Sequence, residues 1–301
     1  MKIFNHGKYQ HNLYKTKMRI SIQLVFVLCA FFNVHGQSDS TQRTKKVESY
    51  FQLSGVYTSF QDAKFSNIRY NGIGTGIDIG RKVIIGIHSF QYGFQLSYSN
   101  SKSSTFKLDP GFGKIGIARE FHPTLYVKYM RELNENFSVG GRFDGLESYF
   151  RVTRGLGNNK IYYNVGANLY GKGSYRRKLG DKWEIETGIE LGLLSFMRES
   201  TGFAFSAPQT VLTNGLFNYQ DESTSNPFGF KHYELRPIWN YGNLNILADV
   251  KFKQRWTFSY TWSLRRFSTV ENYPTTIGIH TLGVKFNFID KTKKRRSKKK
   301  N

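Results

Sequence analysis

The chain has 301 residues, 44 Lys and Arg against 21 Asp and Glu, and a single cysteine, with a mean hydropathy of −0.48. One cysteine excludes a disulfide framework and a cysteine metal site, and 29 Gly, 19 Tyr and 26 Phe beside 6 Pro point to an all-β protein rich in aromatics. Much of the positive charge lies at the ends, five basic residues before position 37 and eight from Lys291 on; the body is only about +10, so a high net charge gives no reason to expect nucleic-acid binding by the folded part.

In chain order, residues 18 to 36, MRISIQLVFVLCAFFNVHG, carry a basic start, an apolar run from Ile22 to Phe32 and a permissive end at Gly36. This layout predicts a cleaved secretory signal over 1 to 36, with Met18 as an alternative initiator. Cys29 lies inside the apolar run after Leu28, without the small residue that a lipoprotein site wants before its cysteine. Beyond this segment no apolar stretch of about 18 residues occurs, so a membrane crossing would have to be made by strands.

A polar lead-in (37 to 46) precedes the region 47 to 289, where a two-residue period dominates. Phe51, Leu53, Gly55 and Tyr57 alternate with Gln52 and Ser54. In NGIGTGIDIG at 71 to 80, Ile73, Thr75, Ile77 and Ile79 oppose Gly72, Gly74, Gly76 and Asp78; a glycine face suits a crowded barrel interior, and the lack of a following helix pattern argues against a nucleotide loop. Strands follow at 89 to 99, 120 to 131, 137 to 145, 161 to 169 with a run-on towards Leu179, 183 to 193, 243 to 250, 256 to 265 and 280 to 288. The clearest is WTFSYTWSLR, with Trp256, Phe258, Tyr260, Trp262 and Leu264 on one face and Thr257, Ser259, Thr261, Ser263 and Arg265 on the other.

This makes about ten strands (8 to 12). Short connections at 81 to 88, 132 to 136, 179 to 182 and 251 to 255 alternate with longer ones at 59 to 70, 100 to 115, 151 to 160, 198 to 237 and 267 to 276. That asymmetry and an even strand count predict an antiparallel transmembrane β-barrel in an outer membrane, turns towards the periplasm and loops outside. The apolar face then looks into lipid, and Asp78, Lys128, Arg142, Asp144, Glu184, Glu186, Glu190, Asp249, Arg265 and Lys285 line the lumen as a charge network that must be paired or hydrated. Phe90, Phe137, Trp183 and Trp256, each opening a strand after a short turn, are the expected interfacial girdle.

The signal, the alternating strands and the terminal HTLGVKFNF resemble the small outer-membrane β-barrel proteins of Gram-negative bacteria. The resemblance implies that Phe288 corresponds to the aromatic read by the barrel-assembly machinery; here a basic stretch, IDKTKKRRSKKKN, follows it. That tail (290 to 301) is expected to be disordered, facing anionic headgroups or periplasmic polyanions. Partners are therefore outer-membrane lipid and the assembly machinery, with no nucleic acid and no cofactor. In the 198 to 237 connection, Phe203, Phe205, Phe217, Tyr219, Phe228, Phe230 and Tyr233 form the candidate recognition loop.

His88, His122, His232 and His280 invite a hydrolase reading, a lipid A deacylase or an omptin-like protease, but no spacing sets one beside a nucleophile and a carboxylate, and no metal-ligand spacing stands out. The sequence thus predicts a non-enzymatic barrel with a structural, adhesive or small-ligand-binding role and a lumen filled by side chains. The hydrolase is the first rival and a soluble periplasmic β-protein the second.

Overall fold

The computed structural model describes residues 45–63, 66–103, 116–154, 160–199, 233–238, 241–253, 255–267 and 274–290. The expected signal segment and the basic tail beyond Asp290 lie outside them. Eleven strands appear among the described residues: β1 (Lys45–Asp62), β2 (Ser66–Ile85), β3 (His88–Ser103), β4 (Ile117–Glu132), β5 (Phe137–Arg154), β6 (Lys160–Leu179), β7 (Trp183–Glu199), β8 (Glu234–Pro237), β9 (Tyr241–Phe252), β10 (Trp256–Phe267) and β11 (Thr275–Asp290). All pairings are antiparallel, and β1–β11 together with β6–β7 close the sheet.

The wall has ten strand positions. The short β8 pairs with Leu194–Met197 of β7, just beyond the stretch Trp183–Leu191 that β9 covers, so β8 and β9 share one position. Register partners followed from Lys46 through Ile84, Ser89, Met130, Gly140, Lys172, Glu190, Asn245, Ser263 and Ile279 return to Thr58. That is a stagger of twelve residues around ten positions, which at ordinary strand spacings tilts the strands by about 40° and sets a backbone radius of about 10 Å. A barrel of this size holds side chains and a modest cavity.

The face assignment follows burial. On β10, Trp256, Phe258 and Tyr260 are 45%, 48% and 38% exposed, while Thr257 and Ser259 between them are 1% and 6% exposed. The apolar set faces outward and the polar set inward, the reverse of a soluble barrel. From Trp256 to Leu264 the outward row runs about 26 Å along the strand, or about 20 Å along the axis at that tilt, close to the height of a lipid-facing band.

Several expected connections are corrected. The long link at 59 to 70 is mostly strand, with Ser59–Asp62 in β1 and Ser66–Tyr70 in β2, and Thr275 already opens β11; the links expected at 81 to 88, 100 to 115 and 151 to 160 are shortened likewise, with Arg81–Ile85 in β2, Asn100–Ser103 in β3 and Arg151–Arg154 in β5. Alternation fails at 59 to 70 and at 267 to 276 because the faces exchange character, as Val56, Phe60, Tyr70, Ile277 and Phe267 are buried inside while Ser59, Asn71 and Arg266 stand on the outer face.

Candidate functional site

The lumen divides by height. From the short-turn rim a polar cavity of about 650 Å³ rises to the level of His122, Arg265 and Ile279. Above it Val56, Phe60, Tyr70, Ala118, Tyr149, Met197, Phe267, Ile277 and Ile279 pack as one buried cluster.

Of the ten sequence-assigned charges, nine line the cavity, and Glu190 lies wholly buried behind them. They join cations that the sequence reading did not name. Near the mouth Lys251 Nζ bonds Glu184 (2.9 Å) and Glu186 (2.7 Å), and Arg176 reaches Glu132 at 3.1 Å and Glu184 at 3.4 Å. Higher up, Glu190 accepts from Lys172 (3.1 Å), Arg142 (3.4 Å) and Asn245 (3.1 Å), with Lys128 at 3.5 Å. Arg142 also grips Asp144 at 2.5 Å. Highest of these, Arg265 meets Glu147, which accepts hydrogen bonds from Asn168 and, at 3.1 Å, from Tyr170.

Lys172 and Arg176 were legible by carrying the inward face of β6 past Tyr170. Lys251 was absorbed into an expected turn, and Glu147 lies beyond a bulge at Asp144/Glu147 that shifts the period. The remaining assigned charges stand apart: Lys285 lies over the Tyr50 ring at 5.0 Å, and Asp249 lines the cavity with no ion-pair partner within 4 Å among the described residues.

Asp78 has a different setting. It accepts from Tyr126 at 2.8 Å and from Tyr50 at 3.4 Å, and the two tyrosine hydroxyls meet each other. Gln91 donates to both hydroxyls. Tyr50, Gly80, Gly93 and Tyr126 are register partners across β1 to β4, and a Cβ on Gly80 or Gly93 would strike the tyrosine rings. The inward glycines therefore serve the crowded interior by letting two tyrosines lie flat across their neighbours.

Between cavity and apolar cluster sits Glu120, wholly buried, accepting from Thr58 (2.8 Å), Ser99 (2.7 Å), Ser101 (3.0 Å) and Tyr149 (2.6 Å). Four hydroxyl donors compensate its desolvation. Above, Arg151 bonds Asp62 at 2.7 Å and lies over the Phe60 ring.

The sequence-assigned aromatics Phe90, Phe137, Trp183 and Trp256 all stand exposed near the short-turn rim. Each pairs with a ring on the adjacent strand: Phe90 with Tyr129 (5.0 Å), Phe137 with Tyr175 (5.0 Å), Trp183 with Phe252 (4.6 Å) and Trp256 with Phe286 (4.8 Å). In the candidate recognition loop, Phe203, Phe205, Phe217, Tyr219, Phe228 and Phe230 lie outside the described residues; Tyr233 stacks on Phe196 at 5.0 Å.

The described histidines do not assemble. His88 bonds Tyr129, His280 bonds Tyr260 on the outer face, and His122 packs against Tyr149 with neither ring nitrogen hydrogen-bonded among the described residues; His232 lies outside them. No group of three His, Cys, Asp or Glu converges among the described residues as a metal site would require.

No family model and no curated protein matches the chain. Solved structures do. The β domain of the Bordetella autotransporter BrkA is 12% identical, with 80% of this chain and 99% of that one covered at a TM-score of 0.41. The translocator domain of the autotransporter NalP from Neisseria meningitidis is 10% identical, with 91% and 98% covered at 0.40. An outer membrane channel from Pseudomonas putida F1 is 12% identical, with 84% and 98% covered at 0.33. The likeness is one of strand architecture. The chain is a closed antiparallel barrel with its apolar face outward.

Proposed function

We propose that this chain resides in a bacterial outer membrane as a non-conducting barrel that acts through its loop rim, in a structural, adhesive or ligand-binding role. The observation that carries the reading is the charged cavity at the short-turn rim with a buried apolar cluster packed above it, an arrangement that supports a stopped lumen. Ions crossing would have to pass Phe60, Phe267 and Ile277, and the buried charges beside them, Arg151 and Asp62, are already paired with each other. The outward apolar band with paired aromatics at its lower edge supports lipid as the surroundings, and the short turns then face the periplasm.

Purified protein in a planar bilayer tests this. The wild-type barrel should give no steady conductance, whereas Phe60→Ala combined with Phe267→Ala should produce discrete openings. Steady wild-type conductance would sink the closed-lumen reading, and recovery in the soluble periplasm would sink the membrane one. Outer-membrane lipid and the assembly machinery are the proposed partners.

A further inference from the structure

One stretch of the outer surface departs from a plain lipid band. Across β10, β11, β1 and β2, register partners stack into rows. Low down, Leu53, Ile77, Phe258, Leu282 and Val284 border a hollow of about 640 Å³, whose floor includes Gly55; a Cβ there would meet nothing within 4 Å. The next row up holds Trp262, His280 and Tyr57 side by side. His280 is exposed on the band, an imidazole where lipid chains are expected, and ionisable groups in such positions mark function by default. Tyr260 lies 2.8 Å from its Nδ1, and the Tyr57 hydroxyl donates to Asn71 at 3.4 Å. Two rows above, Arg266, Thr276, Gln61 and Arg69 cross the same four strands, with an exposed arginine at each end.

Apolar hollow, polar row and paired cations follow the order of chain, acyl linkage and headgroup in a phosphorylated lipid. Arg266 and Arg69 stand three inter-strand steps apart, about 14 Å, on a line that the strand tilt inclines to the membrane plane, a span suited to an obliquely set headgroup with a phosphate at each end. When the Tyr260 hydroxyl donates to Nδ1, the proton sits on Nε2, which is then a donor for an acyl carbonyl.

We propose that this face binds a bisphosphorylated glycolipid of the leaflet at the loop rim, with its phosphates at Arg266 and Arg69, an acyl carbonyl at His280 and one acyl chain over Gly55. The site rests on the membrane reading above, since its depth is set by the lipid band. Anionic headgroups attract surface arginines in general; the fixed spacing and the hollow make the site selective.

The full-length protein, extracted from outer membranes in mild detergent, is exchanged with lipid A or with phosphatidylglycerol at equal concentration, and retained lipid is counted by native mass spectrometry. Lipid A should be retained over phosphatidylglycerol. Gly55→Leu, and Arg69→Gln with Arg266→Gln, should each lower lipid A retention roughly tenfold, while Arg119→Gln, an exposed arginine on β4, should leave it unchanged. Equal retention of the two lipids, or an equal loss with Arg119→Gln, overturns the site. A membrane-embedded barrel indifferent to Gly55→Leu and to the double arginine variant overturns the site alone; wild-type protein found only in the soluble fraction overturns the membrane reading with it.

Discussion

The two ends of the lumen are built on opposite rules. Near the short-turn rim, polar and charged side chains fill the inside and apolar ones face out. Towards the loop rim, on β10, β11, β1 and β2, Val56, Phe60, Tyr70, Phe267 and Ile277 are buried inside together with Thr58, Thr275 and Asp62, the last paired with Arg151, and the outside carries Ser59, Asn71, Arg69 and Arg266. The lower part obeys the rule for strands in lipid, where apolar surface must face outward. The upper part obeys the rule for strands in water, where apolar surface must be hidden. In the proposed membrane setting, one continuous sheet passes from one solvent to the other, and the exchange of faces is the proposed place where lipid ends. On that proposal the apolar cluster is the ordinary core of the water-exposed section, and the proposed closure of the lumen follows from it.

The largest expected effect falls on the lower rule. Glu190→Ala strands Lys128, Arg142 and Lys172 around a buried site and should cost about 3–5 kcal/mol, read as a lowered urea midpoint for the barrel in lipid vesicles; a loss under 1 kcal/mol would mean that water already screens those cations. Phe60→Ala tests the upper rule and should cost about 3 kcal/mol, since it leaves a void in the buried cluster. Trp262→Lys, on the lipid side but above the bilayer midplane, should cost roughly 1–2 kcal/mol, and Ser263→Lys, facing the lumen, should cost less; equal costs would put β10 the wrong way round. Smallest of all, Ser59→Lys on the outer face of β1 should change stability by less than about 1 kcal/mol. A penalty there matching that of Trp262→Lys would place Ser59 in lipid and erase the proposed boundary.

Where one face was apolar and the other polar, the sequence reading placed strands and faces correctly, as at Trp256 to Arg265 and Ile73 to Ile79. It lost the strands at Ser59 to Asp62 and Ser66 to Tyr70, because a reversal of faces looks like a loss of period. The short β8 escaped for another reason: four residues, ELRP, give too little alternation to detect. In the lumen, periodicity located the charges and could not pair them. Lys172 meets Glu190 and Lys251 meets Glu186 through a register and closure that only partner strands fix.

The sequence by itself determined that this is an alternating strand protein and which side chains share a face, because side-chain direction along a strand repeats every two residues whatever the surroundings. Only the tertiary structure decided the stagger of the wall, the ion pairs across it, the tyrosines laid over Gly80 and Gly93, and the height at which inside and outside change solvent. Those depend on which residue of one strand stands beside which residue of the next, and the local pattern is the same for every register that keeps its faces.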